Sequence, residues 1–194
     1  MNKQIILASA SPRRKELLEL MGLTFSIIPS KKEEIITKSR PDEIVKELAF
    51  QKAEDVALGM TEDCLVIGSD TIVVCDGEIM GKPKDEKHAF SMIAALQGKN
   101  HQVYTGVAVV DKNGDKITSD IFSEKAEVMV NVMTDEEIWG YIRRGESMDK
   151  AGAYGIQGSF AMFVREISGE YSTILGLPVA GLYQTLKKYG ITLC

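Results

Sequence analysis

The hydrophobic pattern begins with a short apolar run, Ile5-Ile6-Leu7-Ala8, of the length and composition of a buried strand, followed by Ser9-Ala10-Ser11-Pro12. Ser11 suits a helix N-cap and Pro12 the first helical position, so the pattern predicts a strand, a three-residue loop and a helix closed by Gly22. Residues 25–28 form a second short strand, residues 31–40 a polar loop, and Pro41-Asp42 opens a helix running to about Leu58. Residues 65–75 read as a pair of strands interrupted by Gly68-Ser69-Asp70-Thr71, with a tight hairpin at Asp76-Gly77. A helix over 85–96 follows. Alternating residues over 103–110 and 116–132 around Asn113-Gly114 predict a long antiparallel hairpin. Thr134-Asp135-Glu136-Glu137 is a capping box for a helix that packs Ile138, Trp139, Tyr141 and Ile142, and Leu177-Pro178 precedes a last helix. Strands alternating with helices, in mixed directions, predict an α/β fold with a mixed twisted sheet and flanking helices.

Against this pattern some charges are out of place. At about 100° per residue, Arg13 and Arg14 share the arc of Leu17, Leu18, Leu20 and Met21, while Lys15, Glu16 and Glu19 fall opposite. Two guanidiniums beside exposed N–H groups of a helix start suit a phosphate; the alternative is a pair of snorkelling arginines with internal carboxylate partners. Lys52 repeats the anomaly, lying amid Val45, Leu48, Ala49 and Val56, and its alternative is a stem along the core with its ammonium in solvent. With Lys82 in Gly81-Lys82-Pro83, these cations favour a polyphosphate ligand.

Asp70 is expected at a strand end, in a Gly-Ser-Asp-Thr turn, where clefts are commonly built. A carboxylate among cations holds Mg²⁺ or deprotonates an attacking water, and Glu34 offers a second metal ligand; the plainer readings are a turn-capping Asp70 and a solvated Glu34. The segment 149–158 holds Gly152, Gly155 and Gly158 with Gln157, enough glycine for backbone to lie against a ligand and one amide to read a base edge.

Composition narrows the field. With 194 residues, 44% hydrophobic and 26% charged, the chain suits one globular unit or two small lobes rather than disorder. No apolar stretch reaches the ~20 residues of a membrane span and no secretory signal is present, so a cytoplasmic protein is expected. Cys64, Cys75 and Cys194 have no metal-ligand spacing and are read as reduced thiols. Two histidines exclude a His-rich zinc site and argue against a Ser-His-Asp triad. The net charge of −5 argues against nucleic acid bound over a broad surface. No Walker string or kinase signature occurs.

Taken together, residues 7–17, Gly68-Ser69-Asp70-Thr71, Gly81-Lys82-Pro83 and residues 149–158 resemble the Maf family of nucleoside-triphosphate pyrophosphatases, over essentially the whole chain. The resemblance implies a single domain over 1–194 with a fold related to inosine-triphosphate pyrophosphatases, two lobes around a cleft, and frequent homodimers. It implies hydrolysis of a nucleoside triphosphate to monophosphate and pyrophosphate with a divalent cation, Mg²⁺ or Mn²⁺; the lack of an apolar span leads separately to the expectation of no membrane partner. By position it implies Asp70, Lys52 and Lys82 as catalytic, Ser9, Arg13 and Arg14 at the phosphates, Glu34 and Asp70 on the metal, and Thr71 and Gln157 at the base. The residues at Arg13, Thr71 and Gln157 match the type that prefers dTTP and UTP rather than 7-methyl-GTP. Association of the family with inhibition of septum formation leaves a regulatory binding protein as the alternative function.

Overall fold

The computed structural model describes residues 3–193, and Cys194 lies outside the described residues. In chain order the elements are β1 (Gln4–Leu7), α1 (Pro12–Leu20), β2 (Ser26–Ile27), α2 (Pro41–Gly59), β3 (Cys64–Cys75), β4 (Glu78–Met80), α3 (Glu86–Leu96), β5 (Asn100–Asn113), β6 (Lys116–Val130) and α4 (Asp135–Ile142). Two 3₁₀ turns, Ala151–Ala153 and Ser159–Phe163, then β7 (Val164–Ser168), α5 (Tyr171–Leu175) and α6 (Val179–Lys187) complete them. The hydrogen-bonded strand order is β2-β1-β3-β5-β6-β7, with β4 added to β3. Directions are mixed as the pattern predicts: β1 is parallel to β2 and β3, whereas β3–β4 and β6–β7 are antiparallel.

The chain forms two compact units. The first combines the stretch through Asp70, Thr105–Glu124 and the stretch from Gly176; the second combines Thr71–Tyr104 and Lys125–Leu175. In the first, Ile6, Ala8, Val66, Ala108 and Val110 pack against Ala49, Ala53 and Val56 of α2. That packing is unusually close because glycines face the helix. A Cβ at Gly68 would stand 2.3 Å from Ala49 O, and one at Gly106 2.2 Å from Val45 O, so helix backbone rests on strand backbone. In the second unit, Phe160, wholly buried, gathers Tyr141, Tyr154 and Phe163 around it, with ring centroids 4.7 to 5.7 Å apart.

Several boundaries differ from the sequence pattern. The expected break at Gly68-Ser69-Asp70-Thr71 is absent: β3 runs unbroken for 12 residues, so Asp70 sits inside a strand and not in a turn. The reason is local satisfaction of a polar side chain. Ser69 is wholly buried, and its hydroxyl lies 2.9 Å from the Gly106 carbonyl and 2.8 Å from that of Gly176, which lets a serine remain within the ladder. Leu20, placed on the buried arc of α1, is 82% exposed, while Leu17 and Leu18 are buried. β6 ends at Val130, two residues earlier than expected, and Val132 is exposed. β7 and α5 give no readable sequence signal, being only five residues each. The predicted capping box is present, with Glu137 N–H donating to Thr134 Oγ1 and Thr134 N–H to Glu137 Oε2. At Asp76-Gly77 both residues have positive φ, 51° and 84°, the backbone of a tight hairpin.

Candidate active site

The loop from β1 into α1 is organised by Ser9 rather than Ser11. Ser11 occupies the N-cap position, as predicted, but its side chain makes no capping bond. Instead the Ser9 hydroxyl accepts from Ser11 N–H at 3.2 Å and from Arg14 Nη1 at 3.1 Å, while Arg14 Nε donates to Gly176 O at 2.8 Å. The Arg14 guanidinium is therefore oriented at two nitrogens by groups far apart in sequence. Burial pushes it below the usual arginine value, with the Asp70 carboxylate opposing that shift, Arg13 adding to it and Glu34 opposing it. Arg13, half-buried one residue earlier, thus adds its positive charge to the same neighbourhood.

Lys52 does not send its ammonium to solvent. Its Nζ lies 2.5 Å from Asp70 Oδ1 and 2.9 Å from Glu34 Oε1, with the lysine and aspartate side chains 17% and 14% exposed and Glu34 51% exposed. The close seating of α2 on Gly68 is what brings Lys52, three residues after Ala49 and one before Ala53, beside Asp70 two residues after Gly68. Glu34 comes from the polar loop, and α2 also holds that loop. The Gln51 amide accepts from Ile35 N–H at 3.0 Å and donates to Ile35 O at 2.6 Å, and Glu47 accepts from Thr37 N–H at 2.9 Å and from its hydroxyl at 2.5 Å. Those bonds from the Thr37 hydroxyl and backbone hold the Glu47 carboxyl below its usual range. Gln51 and Glu47 were invisible as site supports in the sequence, because nothing in a helix's periodicity says which loop it will fasten.

The remaining candidates belong to the second unit. Thr71 is half-buried on β3, whereas Lys82, after β4, and Gln157 are exposed. Their two segments are joined within that unit: Gly152 N–H donates to Gly81 O at 3.0 Å, linking the Gly81-Lys82-Pro83 turn to the glycine-rich segment. Tyr154 of that segment is bonded to His101 Nε2 at 2.7 Å in the core. Burial pushes His101 down to about 4 and raises Tyr154, so both are neutral at ordinary pH, as fits histidine in a core and outside a catalytic triad. Cys64 and Cys75 are free, buried thiols whose values burial also raises.

The donor set around Lys52 suits a hard divalent cation. Asp70 and Glu34 aim carboxylate oxygens at one point, now met by an ammonium, and two carboxylates completed by substrate phosphates and water are an ordinary Mg²⁺ or Mn²⁺ arrangement. Among the described residues no group of three or more His, Cys, Asp or Glu could hold a metal by itself.

Residues 4–189 match the family model described as "Maf-like protein". The chain is 51% identical to a protein named dTTP/UTP pyrophosphatase from Agathobacter rectalis, covering 97% of this chain and 98% of that one. It is 49% identical to a protein of the same name from Lachnoclostridium phytofermentans, covering 98% and 97%. In fold it is similar to the Staphylococcus aureus Ham1 protein, with a TM-score of 0.51 at 14% identity over 96% of this chain and 100% of that one. With the family model spanning nearly the full length and relatives near half identical end to end, this chain belongs to the Maf family.

Proposed function

We propose that this chain hydrolyses nucleoside triphosphates, dTTP and UTP foremost, to the monophosphate and pyrophosphate, acting as one Maf-type pyrophosphatase domain over its length. The observation that carries the reading is the cluster of Arg14, Lys52, Asp70 and Glu34, in which cations that suit a triphosphate meet a carboxylate that can accept a proton. The names of relatives that match this chain end to end support the substrate.

In this mechanism Asp70 takes a proton from water as the oxygen attacks the α-phosphorus; the bond from that phosphorus to the bridging oxygen breaks and pyrophosphate leaves with the electron pair. Lys52 positions Asp70 and turns toward the developing negative charge. Ser9, Arg13 and Arg14 bind the phosphates from the helix start, and Lys82 stabilises charge on the departing pyrophosphate. Thr71 and Gln157 select the base. Asp70 and Glu34 would hold Mg²⁺ or Mn²⁺, which when bound supplies charge neutralisation of the triphosphate. In this reading the enzyme works in the cytoplasm, as expected from its sequence, and as a homodimer, as the family resemblance implies. No helix among the described residues is long and apolar enough to cross a membrane.

The test is pyrophosphate release from dTTP, UTP, CTP, 7-methyl-GTP and the common purine triphosphates with either cation, beside Asp70→Asn. Rapid release from dTTP and UTP that the substitution abolishes is expected. Release of inorganic phosphate instead, or full activity in Asp70→Asn, overturns the mechanism.

A further inference from the structure

The turn that carries Gln157 is held by an acidic side chain that the reaction does not use. Glu146 follows α4, and its carboxylate accepts two bonds from one residue: Ser159 N–H reaches Oε2 at 3.0 Å and the Ser159 hydroxyl reaches Oε1 at 2.9 Å. A carboxylate engaged at both oxygens fixes the direction as well as the distance of its partner. The backbone between is shaped around this contact. Gly158 has φ of 92°, a backbone that favours glycine, and a Cβ there would stand 2.4 Å from Glu146 Oε2, so a side chain would also push on the carboxylate in its present place.

The same loop is fastened on its other side. Lys150 Nζ donates to the Glu146 carbonyl at 2.5 Å, and its stem lies where a Cβ on Gly155 would come within 2.6 Å of Cε. Ile156 and Phe160 are buried. Within this short run Gln157 is thus the exposed side chain between two anchored neighbours, on a turn whose Gly158 takes a positive φ beside Glu146 and whose Gly155 lies against the Lys150 stem. A polar amide pointing outward from so constrained a turn has its backbone position set in advance, and the group that sets it nearest to Gln157 is Glu146.

We propose that Glu146 is the positioning residue for base discrimination: its hold on Ser159 fixes the turn that presents Gln157. The inference rests on the reading that Gln157 meets the base. An amide shows a donor and an acceptor side by side, matching the ring N–H and adjacent oxo group of uracil or thymine, whereas cytosine shows the reverse order. Discrimination then depends on the amide being held in one place, since a displaced or overturned amide serves either base. Loss of the Glu146 bonds frees the turn and levels the preference.

The experiment compares kcat/KM for UTP with kcat/KM for CTP in the wild type, Gln157→Ala, Glu146→Ala, Glu146→Gln and Ser159→Ala. The ratio is independent of the fraction of folded enzyme, so a merely structural defect does not move it. Gln157→Ala is expected to lower the ratio by about tenfold, the scale of one buried hydrogen bond in specificity. Glu146→Ala reproduces most of that fall, Ser159→Ala part of it, and Glu146→Gln, which keeps an acceptor oxygen, stays near the wild type. Combining Glu146→Ala with Gln157→Ala lowers the ratio no further than Gln157→Ala alone. An unchanged ratio in Glu146→Ala beside a fall in Gln157→Ala overturns the proposal while leaving base reading intact. A flat ratio in Gln157→Ala removes base reading, and the proposal with it. Where Glu146→Ala does not fold, Ser159→Ala decides the matter, an unchanged ratio overturning the proposal.

Discussion

The two units differ in where they keep charge out of water. In the first, the side chains of Lys52, Asp70 and Arg14 lie largely out of water with the half-exposed Glu34 beside them, held by ion pairs at Lys52 and by long-range bonds such as Arg14 to Gly176 O. In the second, the buried polar pair is neutral, His101 with Tyr154, and beside the glycine-rich turn the Glu146 carboxylate is bonded to a serine while Lys150 pairs with the exposed Asp149. Electrostatic strength is concentrated where a polyanion would need it. Charges gathered partly out of water suit transition-state stabilisation of a polyanion, whereas a carboxylate bonded to a neutral serine suits holding a loop whose job is shape. The cluster of the first unit also depends on close backbone packing, while the turn of the second depends on the positive φ of Gly152 and Gly158.

The largest effect should come from removing the charge at the centre of the first unit. Asp70→Asn is expected to lower kcat by roughly 10³-fold or more, the loss of a general base, with nucleotide binding retained in titration calorimetry; loss of binding alone, with kcat preserved, would break the contrast between the units.

Next comes the neutral pair. His101 has a folded value of about 4 against an ordinary 6.5, so the unfolded chain binds the extra proton between those values. The stability this burial protects is present above pH 6.5 and is lost as pH falls toward 4, on the order of 3 kcal/mol in all. Denaturant melts of wild type and His101→Gln across that range should show a steeper pH dependence in the wild type; parallel curves would mean that His101 is protonated in the fold.

Gly68→Ala asks whether the charged cluster depends on backbone contact. Its Cβ would meet Ala49 O at 2.3 Å, so the helix must move, at a cost of about 1–3 kcal/mol, with Lys52 carried away from Asp70. A lower Tm together with a fall in kcat is expected, and a lower Tm with unaltered kcat would separate packing from catalysis. The smallest effect is Thr134→Ala, which removes the capping box of α4 and should cost about 1 kcal/mol by thermal unfolding without changing substrate preference.

Much of the frame was legible along the chain, and particular residues show why. Pro12, Pro41, Asp85 and Thr134 mark helix starts through backbone chemistry that needs no distant partner, and α1, α2, α3 and α4 begin there or one residue later. Lys52 stood out because a lysine amid Leu48, Ala49 and Val56 contradicts its own helix. What could not be read is what required a partner: a serine inside β3 that needs Gly106 O and Gly176 O, a helix start whose N-cap side chain makes no capping bond, and five-residue elements too short for periodicity.

The order and type of most elements, the family, and the charged residues that stand out of place were all set along the chain, because propensity, capping and periodicity are local and a charge on an apolar face is visible wherever it folds. Folding in three dimensions was needed to settle that Asp70 lies within a continuous strand, that Lys52 spans Asp70 and Glu34, that Gly176 orients Arg14, and that Glu146 grips the turn of Gln157. Each of these is, or rests on, a hydrogen bond or ion pair between residues distant along the chain or across a loop, as β3 rests on Ser69 meeting Gly106 O and Gly176 O, and its geometry exists only once burial has brought the two backbones together.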